Sequence, residues 1–88
     1  MSEQTYTPIA CGLHENYQFA VMRRAPLDLA WRTAAGLMQR ARVLPLDVFT
    51  RTGAEYLRAR IGTGEETLIR LDRILSAHWA ENGASLNP

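Results

Sequence analysis

Apolar side chains recur along residues 13–24 at the spacing of a helix. They occupy positions i, i+4, i+7 and i+8, at Leu13, Tyr17, Ala20 and Val21. This spacing predicts an amphipathic helix of about three turns, with Glu15 near the positive end of its dipole. Pro26 cannot continue a helix and disfavours helical backbone at the residue before it, so the predicted helix ends there.

The period of the apolar positions changes to two after the predicted helix. Leu27, Leu29 and Trp31 alternate with polar or small residues, which is typical of a half-buried strand. Residues 37–44 have good helix formers, but Gly36 and an alternation of polar and apolar positions favour a strand. Periodicity alone leaves both interpretations of this segment open.

The second half of the chain has the pattern of a β-hairpin. Leu57, Ala59 and Ile61 share one face of residues 55–61, and residues 67–71 form an extended apolar run. Between these runs the residues 62–65 have turn chemistry, which predicts a hairpin. Residues 73–79 predict a last short strand after a bend near Asp72, whose carboxylate we expect to cap backbone amides of that bend.

This order of elements predicts a mostly β fold with one N-terminal helix. About five short strands suggest a small, strongly bent antiparallel barrel, because closure removes the exposed edges of so short a sheet. We expect a single domain over residues 6–79. The polar ends, residues 1–5 and 80–88, are expected to be a flexible N-terminus and a flexible C-terminal tail.

Length and composition exclude several classes of protein. A chain of 88 residues makes one domain, which excludes a multi-domain enzyme. The formal net charge is only +1, so any binding to nucleic acid must be local, although all ten basic residues are Arg. A single cysteine, the lack of a long apolar stretch and the polar start together predict a cytoplasmic protein that does not bind membranes.

The chemistry of an enzyme or a metalloprotein is not expected. Cys11 and His14 lie close in sequence, but a metal site needs three or four ligands and the only other histidine is His78. Cys11 is therefore interpreted as a small buried apolar residue. The turn at residues 62–64 lacks the helix and the lysine of a phosphate-binding loop, and we expect neither a catalytic residue nor a cofactor.

The aromatic residues divide between core and surface. Trp31, Phe49 and Trp79 are expected in the core. Tyr17 and Phe19 are two residues apart on the predicted helix, so only one of them can face the core. An exposed Phe19 would give the outer surface of the helix an apolar ring that a partner protein can contact.

Tyr56, Arg58 and Arg60 share one face of a predicted strand and allow two interpretations. The guanidinium of an Arg donates hydrogen bonds to phosphate oxygens and a Tyr ring stacks on a base, so this face can bind single-stranded RNA. Alternatively, the two arginines form ion pairs across the hairpin with an acidic residue, among Glu65, Glu66 and Asp72. Both interpretations stay open on the sequence.

Several short motifs, in order, resemble the Rof family of small bacterial inhibitors of the transcription terminator Rho. They are Tyr6-Thr7-Pro8-Ile9-Ala10-Cys11, Asp47-Val48, Arg51, Glu55-Tyr56-Leu57 and Arg70-Leu71-Asp72-Arg73-Ile74. The resemblance spans residues 6–79 and implies an Sm-like barrel preceded by a helix. It also implies that residues 37–44 form a strand, with tertiary context overriding their helical propensity.

The resemblance further implies a non-enzymatic, monomeric modulator of Rho-dependent termination. Such a protein binds the N-terminal part of Rho, where nascent RNA loads, and blocks access of the RNA. The implied contacts on the outer face of the helix are Glu15, Asn16, Gln18 and Phe19. The others are Arg51 and Thr52, in the loop just before Glu55-Tyr56-Leu57. This chain departs from the family where its helix begins, since Gly12, Leu13 and His14 stand in place of acidic residues and Gln18 replaces a Glu.

Two alternatives remain beside Rho binding. One is an Sm-like module that binds RNA directly through Tyr56, Arg58 and Arg60, which the loss of acidic residues favours. The other is a diverged scaffold with a different protein partner. Fold and function are separable, so the departure weakens the implied partner more than the implied fold.

Overall fold

A computed structural model describes residues 6–87, and the expected flexible N-terminus, residues 1–5, lies outside this range. The elements are α1 (Cys11–Arg23), β1 (Leu27–Arg32), β2 (Met38–Arg51), β3 (Ala54–Ile61), β4 (Glu65–Arg70), a 3-10 turn (Leu71–Arg73) and β5 (Ile74–Trp79). The prediction of a mostly β fold with one N-terminal helix and five antiparallel strands is confirmed.

The five strands form an open sheet rather than a closed barrel. Their order is β4-β3-β2-β1-β5, and within residues 6–87 the edge strands β4 and β5 do not pair with each other. The predicted closure is therefore wrong. The sheet stays open because the outer edge of β5 is already occupied. Ser85, in the segment that follows β5, forms a β-bridge with His78 there.

Of residues 37–44, which the pattern left open, all but Leu37 belong to the long strand β2 (Met38–Arg51). The first part of β2 pairs with β1, from Leu27 opposite Val43 to Arg32 opposite Met38, and the second part pairs with β3. A register irregularity between Pro45 and Asp47 divides the two parts. Pro45 has no amide to donate, so it is compatible with such an irregularity and not with a regular ladder.

Helix α1 buries one face against β2 and ends at a left-handed residue. Tyr17 and Ala20 are buried, whereas Phe19 is exposed, as the spacing of the two aromatic residues requires. Arg24 has φ 53°, which reverses the chain and lets the amide of Ala25 donate to the carbonyl of Ala20 at 3.0 Å. Among residues 6–87 no helix has the length and apolar character needed to cross a bilayer.

The core lies between α1 and the inner face of the sheet. Its fully buried large side chains are Tyr17, Leu27, Leu29, Val43, Pro45, Leu57, Leu71 and Leu86. Trp31 also belongs to the core, as predicted. Phe49 is half-buried and points to the outer face of the sheet, so its expected core position is wrong. Trp79 is also half-buried, but it packs against the core from the edge beside α1.

The segment after β5 folds back onto the protein, which differs from the flexible tail expected for residues 80–88. The amide of Trp79 donates to the carbonyl of Ala84 at 2.8 Å, and the amide of Leu86 donates to Ala77 at 2.9 Å. The Leu86 side chain is 0% exposed. The physical reason is that one apolar side chain of the segment fills the core next to α1, and this burial anchors the polar residues around it.

Candidate functional site

The start of α1 is fixed to the end of the β2–β3 hairpin through Glu55. One carboxylate oxygen of Glu55 lies 3.1 Å from the Nε2 atom of His14. The other accepts a hydrogen bond from the Tyr6 hydroxyl at 2.9 Å. Because Glu55 pairs with Thr50 across the hairpin, these contacts bring the first turns of the helix close to the β2–β3 turn.

Four of the residues implied as Rho contacts belong to the two elements that these contacts join, α1 and the β2–β3 hairpin, and we call them together the helix–hairpin surface: Glu15, Gln18, Arg51 and Thr52. Glu15 is exposed and follows His14 directly. Gln18 is exposed and, with Asp47 and Val48, lines a groove of about 350 Å³ between α1 and β2. Arg51 ends β2, and Thr52, with φ 52°, begins the exposed β2–β3 turn.

The two other implied contacts, Asn16 and Phe19, lie on the opposite flank of α1. Phe19 is 47% exposed and meets Trp79 edge to face, with ring centroids 6.2 Å apart. The guanidinium of Arg23 lies 5.3 Å from the centroid of the Phe19 ring. Asn16 donates from Nδ2 to the carbonyl of Leu86 at 2.6 Å, so it fixes the returning C-terminal segment. The structure does not bring these two residues together with Arg51 and Thr52.

The cross-hairpin ion pairs expected for Arg58 and Arg60 are confirmed, and both arginines contact Glu66. The closest nitrogen–oxygen distances are 2.9 Å from Arg58 and 3.3 Å from Arg60. These hydrogen bonds lower the pKa of the Glu66 carboxyl below its usual range. One carboxylate thus compensates part of the positive charge that the two arginines place on this strand face.

An aromatic platform lies beside these ion pairs on the outer face of the sheet. The rings of Phe49 and Tyr56 stack with centroids 5.7 Å apart, and the guanidinium of Arg51 lies 5.2 Å from the Phe49 centroid. We call Phe49, Tyr56, Arg51 and Arg58 the aromatic–arginine platform. The sequence did not point to Phe49 here, although it lies directly opposite Tyr56 in the strand register.

Asp72 has a structural role that differs in one respect from the prediction. Its carboxylate accepts two hydrogen bonds from Arg70, at 3.1 and 2.7 Å, and one from the amide of Thr7 at 2.9 Å. It therefore caps an amide of the segment before α1, whereas amides of the bend itself were expected. Burial raises the pKa of the Asp72 carboxyl, but the hydrogen bonds from Arg70 and Thr7 outweigh burial and leave the pKa lowered.

Cys11 is exposed at the first residue of α1, so its predicted burial is wrong. The core-facing positions of the helix are taken by Tyr17 and Ala20, and Cys11 lies outside that stripe. Within residues 6–87 no three side chains among His, Cys, Asp and Glu are grouped so that they could hold a metal ion.

Comparison with models of protein families and with curated proteins finds no match to this chain. The resemblance to Rof accordingly rests on the short motifs and on the order of the elements.

Proposed function

We propose that this chain is a non-enzymatic modulator of Rho-dependent transcription termination that binds the N-terminal, RNA-loading region of Rho. The observation that carries the proposal is the contact between His14 and Glu55, at 3.1 Å. This contact holds the start of α1 against the β2–β3 hairpin, so that Glu15 and Gln18 share a surface with Arg51 and Thr52. These are four of the positions that the resemblance implies as contacts.

The chemistry of the helix–hairpin surface suits an RNA-loading site. A protein surface that loads RNA is basic and lined with aromatic side chains, because it holds phosphates and stacks bases. The exposed carboxylate of Glu15 presents a negative charge to such a surface, and the exposed Gln18 offers a side-chain amide. Phe19 lies on the opposite flank of α1 and offers, outside the helix–hairpin surface, a half-exposed ring of the kind that anchors protein interfaces.

With only Glu15 acidic on α1, we expect a weaker electrostatic contribution than an acidic helix would give. Binding through this surface then depends on shape and on hydrogen bonds from Gln18 and Arg51 as much as on charge. Action on Rho requires a location in the bacterial cytoplasm, where transcription takes place.

The direct test is displacement of a cytosine-rich RNA from Rho, followed by fluorescence anisotropy at physiological salt. We expect this chain to displace the RNA and the Glu15→Lys variant to require at least about tenfold more protein, because the substitution places like charges in contact. Glu65→Lys is the matched control. Glu65 is also exposed and lies at the start of β4, away from the helix–hairpin surface. Its substitution by Lys changes the net charge by the same amount as Glu15→Lys.

Equal losses in the Glu15→Lys and Glu65→Lys variants would show that net charge, and not the helix–hairpin surface, governs the effect. Failure of the unmodified chain to bind Rho at all would overturn the proposal. Retained thermal stability in each variant, measured by circular dichroism, excludes misfolding as the cause of a loss.

The aromatic–arginine platform favours a second function, direct binding of single-stranded RNA. A stacked pair of half-buried rings beside Arg51 and Arg58 offers the stacking faces and the phosphate forks that such binding uses. RNA binding without Rho that is weakened by Tyr56→Ala and by Arg58→Ala would support this function. In that case Glu66→Gln should strengthen RNA binding, because it releases both arginines from their carboxylate.

A further inference from the structure

The outer faces of β2, β1 and β5 place polar side chains in two aligned rows. The strand register sets Arg40 and Ser76 on either side of Ala30, and sets Arg42 and His78 on either side of Asp28. Directly opposed residues in antiparallel strands have Cβ atoms about 5 Å apart, so each row is a set of touching neighbours. On β1 the alternating residues Leu27, Leu29 and Trp31 are buried in the core, so the two rows lie on the opposite face of the sheet.

A depression of about 330 Å³ lies over these rows. Its lining side chains are Asp28, Leu29, Arg40, Ala41, Arg42, Ser76 and His78. Ala30 lies at the middle of the first row and is 3% exposed, so the surrounding side chains cover its methyl group and it does not itself line the depression. The depression is wide enough for a small anion together with water.

The charges around the depression are unequal. Asp28 is fully engaged by Arg42, which donates to both carboxylate oxygens at 2.7 and 3.1 Å. This pair is close to neutral as a unit. Arg40 is exposed and has no carboxylate partner among residues 6–87, so its positive charge faces the depression uncompensated. The imidazole of His78 and the hydroxyl of Ser76 add donors of hydrogen bonds on the β5 side.

We propose that this depression binds the phosphate group of a small phosphorylated ligand. Arg40 supplies a planar fork for two phosphate oxygens, and Ser76 and His78 supply donors from the opposite wall. Donors that converge from two walls match a tetrahedral phosphate better than a planar carboxylate, which one arginine fork satisfies alone. The site shares β2 with the aromatic–arginine platform but lies at the other end of that strand, and its remaining residues belong to β1 and β5. None of its residues belongs to the helix–hairpin surface or to the platform.

Titration with sodium phosphate, followed by two-dimensional NMR of the full chain, tests the site. We expect saturable shifts at Ser76, at His78 and at the Arg40 side chain, and no such shifts with sodium chloride at matched ionic strength. The Arg40→Gln variant should weaken phosphate binding at least about tenfold, and Ser76→Ala about fivefold, which correspond to loss of a charged and of a neutral hydrogen bond. Arg24→Gln is the matched control, because Arg24 is an exposed arginine at the end of α1 and belongs to none of the proposed binding surfaces.

A second arm with a nucleoside monophosphate distinguishes the sources of the phosphate. Tighter binding of the nucleotide than of inorganic phosphate assigns a nucleotide-like ligand, and equal binding assigns free phosphate. Non-saturable shifts, shifts that chloride reproduces, or equal weakening by Arg40→Gln and Arg24→Gln would each overturn the proposal. Because both arginine variants alter exposed side chains, the fold remains available for the comparison.

Discussion

The side-chain amide of Asn16 on α1 donates to the main-chain carbonyl of Leu86, at 2.6 Å. The two residues are 70 positions apart in sequence, and this bond joins the first element of the fold to the last ordered segment. Asn16 was implied as a partner contact, but one of its two side-chain N–H donors already bonds within the protein itself. Its substitution therefore affects stability first, and any effect on partner binding must be separated from that.

Truncation of Leu86 is expected to destabilise the protein strongly. Its side chain is completely buried beside Tyr17 and Ala77 in the core, so Leu86→Ala removes apolar contacts and leaves a cavity. Such substitutions cost about 2–5 kcal/mol in free energy of unfolding. Urea denaturation followed by tryptophan fluorescence measures this loss.

Leu75→Ala is the matched control for Leu86→Ala. Leu75 lies on β5 close to the same segment, but its side chain is exposed. We expect the free energy of unfolding to change by less than about 0.5 kcal/mol in this variant. Equal effects of the two substitutions would contradict the burial of Leu86.

Cys11 is expected to react in the folded protein. It is exposed at the start of α1, so a thiol-reactive reagent should modify it completely without denaturant. Mass spectrometry after brief treatment with iodoacetamide counts the modified thiol. Protection of Cys11 until urea unfolds the chain would instead support the buried position that the sequence suggested.

The parts of the fold that the sequence predicted depend on local periodicity. The 3.6-residue spacing of Leu13, Tyr17 and Ala20 predicted α1 to within a few residues of its ends, and alternation predicted β1 and β3. The segment after β5 could not be predicted in this way. Leu86 is surrounded by residues typical of turns, and its burial depends on a space between α1 and β5 that exists only in the folded protein.

The candidate sites show the same limit. Alternation placed Arg58 and Arg60 on one face, but it could not choose among three possible acidic partners. The choice depends on the β3–β4 register, which sets Arg60 opposite Glu66. The depression that Arg40, Ser76 and His78 line was not foreseen at all, because it combines residues from three strands, and the pairing of β5 with β1 joins segments that are far apart in the chain.

The interaction of Asp72 with Arg70 and Thr7 predicts a specific dependence of stability on pH. Hydrogen bonds from both residues leave the folded-state pKa of Asp72 lowered despite burial, so the carboxylate form is favoured by folding. Its contribution is complete above the ordinary aspartate pKa of about 3.9 and is lost as the pH falls through the lower folded-state value. We expect thermal melts to show a smaller decrease in stability from pH 5 to pH 2 for Asp72→Asn than for the unmodified chain.

Asp47→Asn is the control for the pH experiment, since Asp47 is exposed and has no ion-pair partner among residues 6–87. Its melts should follow the pH dependence of the unmodified chain. At pH 7 the Asp72→Asn variant should be less stable than the Asp47→Asn variant. Identical pH profiles for Asp72→Asn and the unmodified chain would contradict the assigned role of Asp72.

The two edges of the sheet should differ in amide hydrogen exchange. On β5 the amide of Trp79 donates to Ala84, and the returning amide of Leu86 donates to Ala77, so both are expected to be protected. On β4 the amides that point away from β3 have no main-chain acceptor within residues 6–87, so they should exchange at the rates of exposed amides. Protection of every β4 amide would contradict this expectation and would mean that residues outside this range, or a second molecule, cover the edge. A fall in protection on dilution would then identify the second molecule, because only an intermolecular contact depends on concentration.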